Sequence, residues 1–117
     1  MEYVTYEQFK KMDMRVGQVV SVEAVEGADK LLKFQIDFGD VDEGGLKKLR
    51  QIVSGLKEFY PEYEKLIGKQ LLYILNLEPR TIRGVESNGM LMAVDGKDGA
   101  PVFLIPEAEV MPGAKVR

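Results

Sequence analysis

Hydrophobic positions along this chain recur mostly every second residue, in short runs set between turn residues. Leu32, Phe34, Ile36 and Phe38 alternate with Leu31, Lys33, Gln35 and Asp37, the pattern of a strand with one buried face. From Arg15 a period of two places Val16, Val20, Val22 and Ala24 on one side, with Gln18 the exception. Glu26-Gly27-Ala28-Asp29, between the two runs, is turn chemistry. A shorter run from Leu49 to Ser54 predicts a third strand, closed by Gly55. Leu71 to Leu77 is nearly continuously apolar and reads as a strand covered on both sides. Met90 to Val94 predicts another strand, Asp95 to Gly99 a turn, and Val102 to Ile105 a return. Lys115-Val116 predicts a last edge strand.

Two segments break this period. Thr5 and Gln8 have the spacing of a capping box, and Val4 and Phe9 stand at the positions of a hydrophobic staple. They predict a short helix over residues 5–12. Pro61 to Gly68 predicts a one- to two-turn helix, with Pro61 at its first position, Gly68 at its stop, and Tyr63, Leu66 and Ile67 on its buried side. The order is short helix, three strands, small helix, then two or more strands. Several short strands with frequent turns point to a barrel or sandwich. The helix after the third strand selects a five-stranded OB-fold barrel in an all-β chain. The expected organisation is one domain over residues 1–117, with a barrel core at about 14–95 and a C-terminal extension at 96–117.

Composition narrows the chemistry. The 117 residues contain no cysteine and no histidine. Disulfides, thiolate nucleophiles, Cys/His zinc sites and the usual base near neutral pH are therefore excluded. No Walker loop or dinucleotide fingerprint occurs. Asp37, Asp40, Asp42 and Glu43 lack the spacing of an EF-hand loop and read as solvated loop charge. The sequence predicts no catalytic set, no metal and no cofactor. No apolar run approaches the ~18 residues of a membrane span, and the N-terminus does not read as a signal peptide. A cytoplasmic setting is the expectation, consistent with the absent cysteine.

Net charge is −3, which by itself disfavours nucleic acid. Its distribution does not. Residues 44–83 carry eight cations and four carboxylates, enough for a basic face on an acidic body. The connection from Asn76 to Met90 places two arginines, Arg80 and Arg83, and two turn glycines, Gly84 and Gly89, between two apolar runs. Arginine suits phosphate because its planar fork donates two parallel hydrogen bonds. Ser87 offers a hydroxyl, and Met90 a soft apolar side chain for a base. The bland alternative is a tight loop in which Ser87 forms the turn and Met90 belongs to the core. Arg50 precedes Ile52-Val53, and period two turns it inward or to the barrel mouth, to pair with a carboxylate such as Asp37 or to meet a ligand.

At these residues the chain resembles the tRNA-binding OB domain family. That family includes the C-terminal or separate beta part of methionyl-tRNA synthetases, free-standing structure-specific tRNA-binding proteins, and synthetase cofactors of the endothelial monocyte-activating polypeptide type. The resemblance is carried by Phe9 to Gly17, Ala28-Asp29-Lys30-Leu31-Leu32, Arg50-Gln51-Ile52-Val53-Ser54-Gly55-Leu56, Asn76-Leu77 with Pro79-Arg80, Gly84 with Ser87-Asn88-Gly89-Met90, and Pro112 to Val116. It implies non-catalytic binding to the outer corner of tRNA, assisting aminoacylation by a separate synthetase chain, in a homodimer for which the tail after Pro106 and the N-terminal helix are the candidate pairing surfaces. The tRNA-binding residues it implies are Arg50, Asn76, Arg80, Arg83, Ser87 and Met90, with Lys30 weaker. Two departures add or keep negative charge near that site. A common histidine-proline is Val25-Glu26 here, and a common lysine is Glu78. The alternative is the dimeric export-chaperone branch of the same fold, which binds unfolded polypeptide and lacks the segment seen at Arg50–Leu56.

Overall fold

The computed structural model describes residues 1–117. Helix α1 (Tyr6–Lys10) opens the chain. The Gln8 N–H donates to Thr5 Oγ1 at 3.1 Å, and the Thr5 N–H donates to Gln8 Oε1 at 2.8 Å. This is the reciprocal capping box that the spacing predicts. The helix ends at Lys10 rather than residue 12, and Val4 stays exposed, so the staple covers little.

Strands β1 (Met14–Val25), β2 (Ala28–Asp37), β3 (Arg50–Ser54), β4 (Gln70–Ile74), β5 (Arg80–Ile82), β6 (Val85–Ser87), β7 (Met90–Leu91), β8 (Ala93–Asp95) and β9 (Pro101–Phe103) follow. The main sheet is antiparallel, in the order β3-β2-β1-β4-β7. Its two edges meet. The Asn88 N–H donates to the Gln51 carbonyl at 2.9 Å, and the Val53 N–H donates to Ser87 Oγ at 2.9 Å. These bonds carry β3 onto the β6–β7 segment and close a five-stranded barrel-like OB-fold, as the element order predicts.

The interior is filled by one apolar cluster. Phe34, Leu32, Ile36, Ile52 and Tyr73 have no accessible surface, and each such side chain contributes ~1.5–3 kcal/mol of burial. The alternation read for β2 is observed up to Ile36, but Asp37, read as outward, is buried at 6% exposure. That for β1 is corrected. Gly17 and Val19 face the interior, and a bulge at Val20 resets the parity, so that Val22 and Ala24 face inward after it. Val20 is left exposed. The cause is Gly17. A Cβ there would lie 2.4 Å from Ile36 Cγ2 and 2.5 Å from Phe38 Cε1, so the missing side chain is what admits those two residues.

The small helix is a 3-10 turn, Tyr63–Leu66, with Glu62 at the N-cap position but no side-chain cap bond, so Pro61 precedes it instead of starting it. Leu66 is buried and Tyr63 packs on the core, whereas Ile67 is exposed. Predicted strand Met90–Val94 divides into β7 and β8, and β8 pairs with β9. The tail docks on β1 beside Met14 and Val16. The Gly113 N–H donates to the Val16 carbonyl, the Val16 N–H to Ala114, and the Val116 N–H to Met14. Lys115 bridges Arg15, as the predicted edge strand requires.

Candidate nucleic-acid interface

The connection from Asn76 to Met90 is built around a hairpin that periodicity did not reveal. Strands β5 and β6 pair Arg80 with Ser87, Thr81 with Glu86 and Ile82 with Val85, leaving only Arg83-Gly84 as the loop. Both loop residues have positive φ, 52° and 79°. That is the geometry of a type I′ turn, whose twist matches the flanking strands. Glycine suits the second position. Arginine at the first holds a left-handed backbone that side chains resist. The sequence signal was present in Ile82-Arg83-Gly84-Val85, but Arg-Gly is a weaker turn mark than Asn-Gly.

The hairpin leans on β3. Alternation turns Ile82, Val85 and Ser87 toward the barrel and leaves Thr81 and Glu86 in solvent. Gln51 Nε2 donates to the Glu86 carbonyl at 2.8 Å, and Gln35 Nε2 donates to Gln51 Oε1 at 2.9 Å. An amide pair on neighbouring strands thus anchors the arm that carries the arginines. Gln51 was not among the predicted site residues.

The predicted residues separate into two groups. Arg80 and Arg83 are exposed, with no carboxylate within ion-pair distance. Met90 pairs with Ile74 in β7 yet is 47% exposed, so it lies at the surface and not in the core. Lys30 is exposed, 4.0 Å from Glu58 Oε1, near the start of β2. Glu78 is exposed and makes no ion pair.

The other three have work within the fold. Ser87 is 4% exposed, accepts from the Val53 N–H and donates to the Gly89 carbonyl at 3.1 Å. Its one O–H and one of its lone pairs thus serve the barrel seam, the turn-forming role that the sequence offered as the alternative to a ligand contact. Asn76 accepts from the Asp13 N–H at 2.8 Å and donates to the Lys11 carbonyl, clamping the end of α1 to the start of β1. Arg50 is half-buried at the barrel mouth, as period two requires. Its partners are carbonyls rather than Asp37. Nη1 donates to Leu75 and to Asn88, each at 3.2 Å, and the guanidinium sits 6.0 Å from the Phe38 ring. Asp37 instead accepts from the Gly39 N–H and pairs with Lys47 at 3.3 Å. In the acidic loop, Asp42 Oδ1 accepts from the Gly44 and Leu46 N–H groups, an Asx-type turn.

A closed barrel of this topology is an OB-fold, the class that presents a strand face and loops to oligonucleotides. The chain belongs to the family described as "Putative tRNA binding domain", whose pattern matches residues 14–115. It is 44% identical over 118 residues to a methionine–tRNA ligase of Thermococcus kodakarensis, covering 100% of this chain and 15% of the ligase. The chain thus spans about 15% of the length of the curated relatives it matches. Among solved structures it resembles a MetRS-related protein from Pyrococcus horikoshii, with a TM-score of 0.85, 35% identity and full coverage of both chains. The chaperone CsaA of Bacillus anthracis aligns with a TM-score of 0.79 and 27% identity, over 99% of this chain and 100% of that one.

Proposed function

We propose that the chain binds folded tRNA without catalysing a reaction, adding tRNA affinity to a synthetase chain that carries out aminoacylation in trans. The carrying observation is the β5–β6 hairpin. It holds Arg80 and Arg83 exposed and without ion-pair partners on an arm fixed to β3, with Met90 half-exposed just beyond it. Such an arrangement grips phosphate and sugar and reads shape in preference to sequence. The family and the ligase relatives support this reading, because the chain aligns with only a small share of each ligase. Lys30 and Arg50 are proposed as lesser contacts. A cytoplasmic setting accompanies the proposal, as does a homodimer formed through α1 and the tail. One small site gains from bivalency, and Tyr3, Tyr6 and Met12 leave apolar surface there exposed.

A second reading, binding of unfolded polypeptide, is favoured by the likeness to CsaA. A gel-shift titration with bulk tRNA, duplex RNA and a denatured protein as competitors separates the two. Binding to tRNA should weaken as salt rises, with a shallow slope corresponding to about three to five phosphate contacts. A flat salt dependence would remove phosphate as the ligand. Indifference to tRNA, together with protection of a denatured client from aggregation, would establish the second reading instead.

A further inference from the structure

Beside the hairpin, the start of β3 borders a solvent-open crevice of 630 Å³. Its polar lining is Gln35, Asp40, Lys48, Arg50, Gln51 and Asn88, and no aromatic side chain contributes to it. A base therefore has no stacking platform there of the kind single-strand binders use. Nor is it a simple anion hole, because Asp40 stands with the two cations.

The spare hydrogen-bonding capacity describes the missing partner. Gln51 uses one N–H on Glu86 and one lone pair on Gln35, which leaves one of each. Gln35 keeps a second N–H and its own carbonyl oxygen. The Asn88 side chain makes no hydrogen bond within the chain, and Lys48 has no carboxylate within ion-pair distance. Amides that both donate and accept match a hydroxyl that does the same. A carboxylate beside them accepts from a hydroxyl and repels a bare phosphate. Lys48 and the free N–H groups of Arg50 remain for one phosphate. Strand pairing of Gln35 with Gln51 holds the amides in place before any ligand arrives.

We propose that this crevice holds one ribose-phosphate unit of the bound RNA and reads its 2′-hydroxyl, so that the domain selects RNA over other polyanions of the same shape. The inference rests on the tRNA-binding reading above. A 2′-hydroxyl is the group by which a protein tells RNA from DNA at one site.

The test compares a synthetic tRNA with the same molecule carrying fluorine at every 2′ position, which keeps the A-form sugar but cannot donate a hydrogen bond. Wild type should bind the fluorinated RNA roughly 3–10-fold more weakly, as the loss of one or two hydrogen bonds implies. Asn88→Ala combined with Gln35→Ala should weaken binding to the natural RNA and abolish most of that difference, with the melting temperature as a control on folding. Lys48→Ala should weaken both RNAs equally. Equal wild-type affinities, or a preference that survives the double substitution, would overturn the crevice while leaving the tRNA reading intact. No binding to either RNA would overturn both.

Discussion

Replacing Arg83 by asparagine should stabilise the protein and weaken tRNA binding together. Arg83 occupies the first loop position of a two-residue hairpin at φ 52°. Left-handed backbone costs an ordinary L-residue about 1–2 kcal/mol, and asparagine adopts it more readily. Relief of roughly 0.5–1 kcal/mol follows. The side chain is exposed and unpaired, so its removal sacrifices no folding interaction of comparable size. In a domain of this size the gain corresponds to a melting temperature higher by about 2–5 °C.

Binding should move the other way. One charge-assisted hydrogen bond to phosphate is worth about 1–2 kcal/mol, hence roughly 5–30-fold in Kd. The slope of log affinity against log salt should also shrink by about 0.7–0.9, the share of one phosphate. Thermal unfolding and a salt series of tRNA titrations measure both quantities on one preparation. Arg83→Lys is the control, since it keeps the charge and the backbone strain but loses the fork. The reasoning is refuted if Arg83→Asn lowers the melting temperature, or if it leaves affinity and salt slope unchanged. An arginine kept in a strained conformation for no ligand would then need a different cause.

Three further outcomes follow from the same geometry. Ser87→Ala should cost roughly 1–3 kcal/mol of stability by denaturant titration, because it leaves the Val53 N–H unsatisfied in the barrel seam; a stable variant with weakened tRNA binding would restore Ser87 to the ligand. Met90→Ala should cost only about 1 kcal/mol or less of stability, since the side chain is 47% exposed, while lowering tRNA affinity. Tyr73→Phe should raise stability by about 1 kcal/mol, because the Tyr73 hydroxyl is buried without a hydrogen-bond partner. Burial also raises the Tyr73 pKa above its ordinary value of 10.0. The stability tied to its neutral form is therefore present below pH ~10 and is lost above it, as the unfolded chain ionises first. Thermal melts at neutral and strongly alkaline pH should show a smaller loss in the phenylalanine variant.

Local signals were legible in the sequence and distant ones were not. The alternation of Leu32, Phe34, Ile36 and Phe38 and the Thr5–Gln8 capping box act over a few residues, and both appear as read. The phase of β1 was misread because Gly17 faces the core with no side chain to announce it, and because the bulge at Val20 reverses parity midway. The hairpin was hidden by its brevity, three residues in each strand. Roles for Ser87 and Asn76 depend on partners 34 and 63 positions away. Either residue in isolation looks like a surface donor. Arg50 shows the middle case. Period two put it at the barrel mouth, but only the closed barrel shows that two carbonyls, and not Asp37, receive it.

These assignments change what the family signature means in this chain. Ser87, Asn76 and Arg50 carry it, yet each satisfies backbone groups at a seam of the barrel or beside α1. They place the arm; the arm carries Arg80 and Arg83. The acidic total is unevenly matched to the cations. Lys33, Lys47, Lys65 and Arg15 have carboxylate partners, whereas Lys48, Arg80 and Arg83 have none. Screening confines each exposed charge to about 10 Å at ordinary ionic strength. A phosphate at the hairpin would therefore meet two unpaired arginines, with Glu86 on the same hairpin and Glu78 just before it the carboxylates nearest in the chain. The long-range field of a net-negative body still opposes approach, so the site should favour a rigid RNA that offers several phosphates in fixed positions over a flexible strand of equal charge.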